Sequence, residues 1–176
     1  MTATPDARGI TSPAELLTIA YRIETDAVER YTLLAEQMES HNNPELVAVF
    51  RDLARAEAIH AEEIRQQAQS IDVVELARQL GPWMEGESPE EADLGTAHYL
   101  MTPWHALQMA LAGEQHALAY FKSVVESTSD LRIKQMAEEF AEEEAEHVNL
   151  VHRLLRKHRA PDESWSDDPD PVSGQA

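Results

Sequence analysis

The chain reads as an all-α protein, a four-helix bundle with a long crossover between its second and third long helices. Three observations predict it. Glu, Ala and Leu are abundant and only 6 of the 176 residues are Gly, a composition that favours helix. Four segments place apolar residues three and four apart, the spacing of a helix with one buried face. Each of the four opens on a capping side chain, and in three of them proline follows at once.

In chain order, residues 1–11 form a flexible arm. Ser12-Pro13-Ala14-Glu15 supplies an N-cap, a proline at the first helical position and a capping-box Glu, and the first helix runs from there to about Ser40. Asn43-Pro44 repeats the signal and opens a second helix to about Gln69. A short helix over Ile71 to Leu80 begins the crossover, which continues through Gly81-Pro82 and Ser88-Pro89. Thr102-Pro103 opens the third long helix, to about Glu126, and the stretch from Ser127 to Asp130 caps the fourth, to about Arg156. The bundle thus occupies residues 12–158, and residues 159–176, with Asp167-Asp168-Pro169-Asp170-Pro171, read as an acidic disordered tail. Short loops within each hairpin make its helices antiparallel neighbours, and the crossover carries the chain back along the bundle.

The two hairpins are weak copies of each other. Aligning Glu24 with Glu114 pairs Leu17 with Leu107, Ala20 with Ala110, Ala27 with Ala117 and Tyr31 with Phe121. Aligning Glu57 with Glu144 pairs Leu53 with Phe140, His60 with His147 and Ile64 with Val151. The matched positions are those that face the core.

Composition excludes several functions. A formal charge of −19 would repel nucleic acid, so no nucleic-acid partner is expected. The chain has no Cys, which removes disulfides, thiol catalysis and cysteine-bound metal. No stretch is apolar for the ~20 residues of a membrane span, and no signal peptide is evident, so a cytoplasmic location is expected.

The functional signal is two copies of one pattern: a lone Glu on one helix, then Glu-x-x-His on the next. The residues are Glu24, Glu57 and His60, then Glu114, Glu144 and His147. With 23 Glu and 8 His in the chain, the spacing alone means little, so context decides. At about 100° per residue, Leu53, Glu57, His60 and Ile64 share an arc, as do Phe140, Glu144, His147 and Val151. Glu24 shares its stripe with Leu17, Val28 and Tyr31, and Glu114 with Leu107, Leu118 and Phe121. Carboxylates on an apolar stripe need neutralising, because burying a charge costs several kcal/mol even after relaxation. One buried Glu is explained by pairing with Arg22, Arg30 or Arg51, or by keeping its proton. Six groups in register, with no Lys or Arg on the stripes near the acids, point to metal. Two divalent cations balance four carboxylates and two neutral imidazoles, and oxygen with nitrogen donors but no sulfur suits iron or manganese. Glu57 and Glu144 are expected to bridge, with Glu24 and His60 completing one ion and Glu114 and His147 the other. Tyr31 stands two helical turns from Glu24, placed for packing, for a hydrogen bond to a ligand or for electron transfer.

These motifs resemble the ferritin-like superfamily, and most closely its rubrerythrin-type members, over about residues 12–158. The resemblance implies a di-iron carboxylate centre with ferroxidase, peroxidase or oxygen-dependent chemistry. Two departures are plain: Ala117 stands where rubrerythrins carry a further Glu, and the Cys-rich rubredoxin domain is lacking. The remaining six-residue set is similar to a bacterioferritin-type ferroxidase centre. The expectation is a di-iron protein that oxidises Fe2+ with O2 or hydrogen peroxide, in iron handling or oxidative-stress defence. Manganese or a mixed pair is the alternative metal. A peroxidase or oxygenase acting on another substrate, with an external electron donor in the peroxidase case, and a non-catalytic metal-binding interaction module are the alternatives in function. A homodimer is the expected assembly.

Overall fold

The structure, a computed structural model, describes residues 9–81 and 101–161. The arm up to residue 8, most of the crossover and the acidic tail from residue 162 lie outside the described residues. Those described form four long helices and one short one, and no strand is formed among them: α1 (Pro13–Ser40), α2 (Pro44–Gln67), α3 (Val73–Gln79), α4 (Pro103–Ser127) and α5 (Leu131–Leu155). This is a helical bundle, as the periodicity predicts, of the ferritin-like kind that the resemblance implies.

Capping fixes where the helices start. Ser12 accepts a hydrogen bond from the Glu15 amide at 3.2 Å, and Asn43 accepts one from the Leu46 amide at 3.1 Å. Glu15 departs from the expected capping box: its carboxylate reaches past Ser12 to the Thr11 amide, at 2.7 Å, and to the Thr11 hydroxyl. The reciprocal box forms instead on α4, where Thr102 caps the His105 amide and His105 Nδ1 accepts from the Thr102 amide. On α5 the cap is Asp130, which holds the amides of Arg132 and Ile133. The α1–α2 turn passes through Asn42 at φ 53°, a left-handed conformation that Asn tolerates. α2 stops two residues short of the expected Gln69, which itself takes φ 54° and turns the chain towards α3. α3 is one turn shorter than the sequence suggests, because Asp72 caps it and Ile71 lies in the preceding turn.

The core has two halves. One joins the start of α1 and α5 to the end of α2 and α4, through Leu16, Ile23, Ile64, Phe121, Ile133 and Phe140. The other joins the end of α1 and α5 to the start of α2 and α4, through Leu34, Met38, Phe50, Leu53, Leu107 and Val151. Each fully buried Leu or Phe contributes roughly 2 kcal/mol. The same pairing of ends gives the directions: α1 and α5 run one way, α2 and α4 the other. The chain leaves α2 at one end of the bundle and enters α4 at the opposite end. α3 begins the connection; it buries Val73 and Ala77, Val73 within the first half of the core.

Candidate metal centre

Between the two halves lies a polar layer. Along α1 it falls at Glu24, between Ile23 of one cluster and Ala27 of the other; along α2 at Glu57, between Leu53 and Ile64. α4 supplies Glu114, between Leu111 and Ala117, and α5 supplies Glu144, between Phe140 and Val151. The four carboxylates are 1–5 % exposed. His60 and His147, one helical turn beyond Glu57 and Glu144, are half-buried and stack with ring centres 5.7 Å apart. All six residues named from the sequence therefore meet at one depth.

Glu57 stands between the two imidazoles. His147 Nδ1 is 3.0 Å from Glu57 Oε1, and His60 Nδ1 is 3.4 Å from Glu57 Oε2. His147 Nδ1 also faces Glu114 at 3.4 Å and Glu144 at 3.9 Å, while His60 Nδ1 faces Glu24 at 3.9 Å. These approaches are poorly aligned for hydrogen bonding: Glu57 Oε1, His60 Nδ1 and His147 Nδ1 are buried without a hydrogen-bond partner. Buried polar atoms of that kind are rare in folded proteins. Polar atoms left unpaired so close together are what a cation site offers. Three triads have donor atoms within 4.8 Å of one another: Glu57–His60–His147, Glu114–Glu144–His147 and Glu24–His60–Glu143. The clusters fit metal binding.

Without cations, protons take up the charge. Burial first, then the nearby Glu144 and Glu57, push Glu24 far above the usual carboxylate range. Burial and the facing Glu114 do the same to Glu144. Glu57 and Glu114 move the other way: burial alone would raise both, but the imidazoles beside Glu57, and His147 with Arg30 beside Glu114, bring them down. Each close pair of carboxylates thus shares a proton, one member keeping it. Burial would lower His147, yet Glu114 and Glu57 outweigh it and raise it to about 11. His60 is raised by Glu57 against the same burial.

Three further residues reach the centre, of which only Glu143 was not named from the sequence. Arg30, one of the three arginines weighed as partner for a single buried Glu, does pair with one: its Nη2 lies 3.4 Å from Glu114 Oε1. It is off the α1 stripe, but its long side chain reaches α4 because Gly113 leaves room. A Cβ at Gly113 would stand 2.4 Å from the Arg30 guanidinium carbon. A glycine in mid-helix beside a buried Glu is the signal that would have found it. Tyr31, fully buried and stacked on Phe50, donates its hydroxyl to the same Glu114 Oε1, so of its three expected roles the hydrogen bond and the packing are both present. Burial and Glu114 raise the Tyr31 phenol well above its ordinary value. Glu143, third member of the Glu24 triad, is half-buried on α5 beside Glu144, and burial raises its carboxyl. The acidic run 142–144 hid it. Ala117, where rubrerythrins have a further Glu, is buried in the core and offers no donor.

A family model for rubrerythrin matches residues 15–87, which takes in Glu24, Glu57 and His60. The solved structure of an uncharacterized conserved protein from Magnetospirillum magnetotacticum MS-1 is similar with a TM-score of 0.71 and 36% sequence identity, over 86% of this chain and 98% of that one. The chain belongs to one family with that conserved protein, and its segment 15–87 is a rubrerythrin match. Comparison with curated proteins gives no match. No described helix of the chain is long and apolar enough to cross a membrane.

Proposed function

We propose that the chain is a di-iron carboxylate protein that oxidises Fe2+ with O2 or hydrogen peroxide. The observation that carries this reading is the polar layer itself: four carboxylates and two imidazoles in an otherwise apolar interior, with three donor atoms left without hydrogen-bond partners. Glu24, Glu57 and His60 would hold one ion, Glu114, Glu144 and His147 the other, with Glu57 and Glu144 shared. Iron held there supplies two electrons, enough with two protons to reduce O2 to hydrogen peroxide, or hydrogen peroxide to water. Around it the chain's own groups have separable tasks. Tyr31 and Arg30 fix one oxygen of Glu114, so that its other oxygen faces His147. The apolar residues above and below the layer exclude bulk water and strengthen every charge interaction within it. Glu24 and Glu144 keep protons until cations displace them, since ligands bind metal in their ionised form. Ala117 favours this six-donor reading over a rubrerythrin-style peroxidase cycle.

The test is elemental analysis of protein purified without added metal, followed by anaerobic ferrous titration and exposure to O2. The expected outcome is about two irons per chain, one O2 consumed for each pair of ferrous ions oxidised, and loss of at least one iron in His60→Ala and in His147→Ala. Full retention of both irons in both variants would overturn the ligand assignment, and a metal that binds but never changes oxidation state would overturn the reaction.

A further inference from the structure

Most of the interior obeys the internal repeat, but the surroundings of the centre break it. Tyr31 corresponds to Phe121, Arg30 to Tyr120, Gly113 to Ile23 and Glu143 to Ala56. Each break falls within reach of a donor. At the Glu114 end, Glu114 Oε1 accepts from the Tyr31 hydroxyl and lies 3.4 Å from Arg30 Nη2. One of its two oxygens is engaged, and its charge is shared with a guanidinium that cannot lose its proton. Glu24, the matching residue, meets neither kind of group from the matching positions: Phe121 has no hydroxyl and Tyr120 no positive charge. At that end a carboxylate is added instead. Glu143 brings an oxygen within 4.8 Å of donor atoms of Glu24 and His60, where the other hairpin has only the methyl of Ala56.

We propose that cations enter this centre in a fixed order, first the Glu24–Glu57–His60 end, with Glu143 as an added ligand, and then the Glu114–Glu144–His147 end, where the cation competes with Arg30. The inference deepens the metal-binding reading above and rests on it. One end has gained a negative group and the other a positive one, so a divalent ion meets opposite changes at positions otherwise equivalent. Charge interactions in a water-poor interior are far stronger than in solvent, so the two sites differ widely in affinity. Hard divalent cations also gain directly from a further carboxylate oxygen.

The test is calorimetric titration of the metal-free full chain with Co2+ alone, followed in parallel by the visible absorption of bound cobalt. Two successive events are expected, the first tighter by roughly tenfold or more. Glu143→Gln weakens the first event by about tenfold and leaves the second in place. Arg30→Gln tightens the second, whereas Arg30→Lys, which keeps the charge, restores the original separation. Should Arg30→Gln fail to fold, the alanine variants decide: His60→Ala removes the tight event and His147→Ala the weak one. Two equal events, or loss of the tight event in His147→Ala alone, would overturn the order while leaving metal binding intact. A chain that binds no cobalt would overturn the metal-binding reading as well.

Discussion

At Gly113 two preferences of the chain oppose each other. Glycine inside a helix is about 1 kcal/mol less favourable than alanine, yet an added methyl here would overlap the Arg30 guanidinium. The guanidinium is the far end of a flexible side chain and can swing aside, so the overlap is relieved by losing its contact with Glu114 rather than by breaking the helix. Gly113→Ala is therefore expected to change unfolding free energy by less than about 1 kcal/mol. It should nevertheless tighten the weaker of the two cobalt events, which titration of the variant checks. Sequence periodicity finds Glu24, Glu57, His60, Glu114, Glu144 and His147 because short side chains act where their helix face points. It does not single out Arg30, since a long side chain acts far from its own face, and it misses Glu143, which lies in an acidic run whose members Glu142 and Glu146 face solvent.

Among the elements, the helices follow from their caps and stripes. Ser12, Asn43, Thr102 and Asp130 each hold an amide of the first turn, and the apolar residues behind them close both halves of the core. What the stripes do not reveal is that the polar positions coincide in depth and separate two apolar clusters; that depends on how the hairpins register against each other. The layer costs the bundle stability that an apolar interior would keep. Replacing all four carboxylates and both imidazoles with apolar residues of similar volume should stabilise the metal-free bundle by roughly 1–4 kcal/mol. Thermal unfolding measures this, and a less stable variant would show that the polar groups stabilise the fold unaided. Removing one member alone should destabilise, because it leaves the others buried without their counter-charges.

For the whole molecule, the shared protons set how stability responds to pH. Glu24 keeps a proton in the fold, its carboxyl raised to about 11 by burial and then by Glu144, that the unfolded chain releases near 4.5. Its contribution, and that of the similarly raised Glu144, is present below that point and declines as pH rises. His147, raised to about 11 against an ordinary 6.5, contributes fully below 6.5 and loses that contribution towards 11. Glu57 acts oppositely: brought down to about 2, it contributes above 4.5 and loses that as pH falls towards 2. The metal-free protein should thus be most resistant to urea near pH 4.5 and lose resistance on either side, more steeply above 6.5. With divalent metal present the trend should reverse, since cations bind better as protons leave. Urea midpoints across pH 4–9, with and without metal, measure both.

The doubled hairpin has one further consequence. Had this interior been assembled from two identical subunits about a twofold axis, any residue set beside one ligand would have appeared beside its mate as well. Because both hairpins belong to a single polypeptide, a change such as Arg30 or Glu143 arises once and stays on one side. Covalent continuity therefore gives the chain a freedom that a homodimeric version would lack: each pole of the interior can be tuned separately.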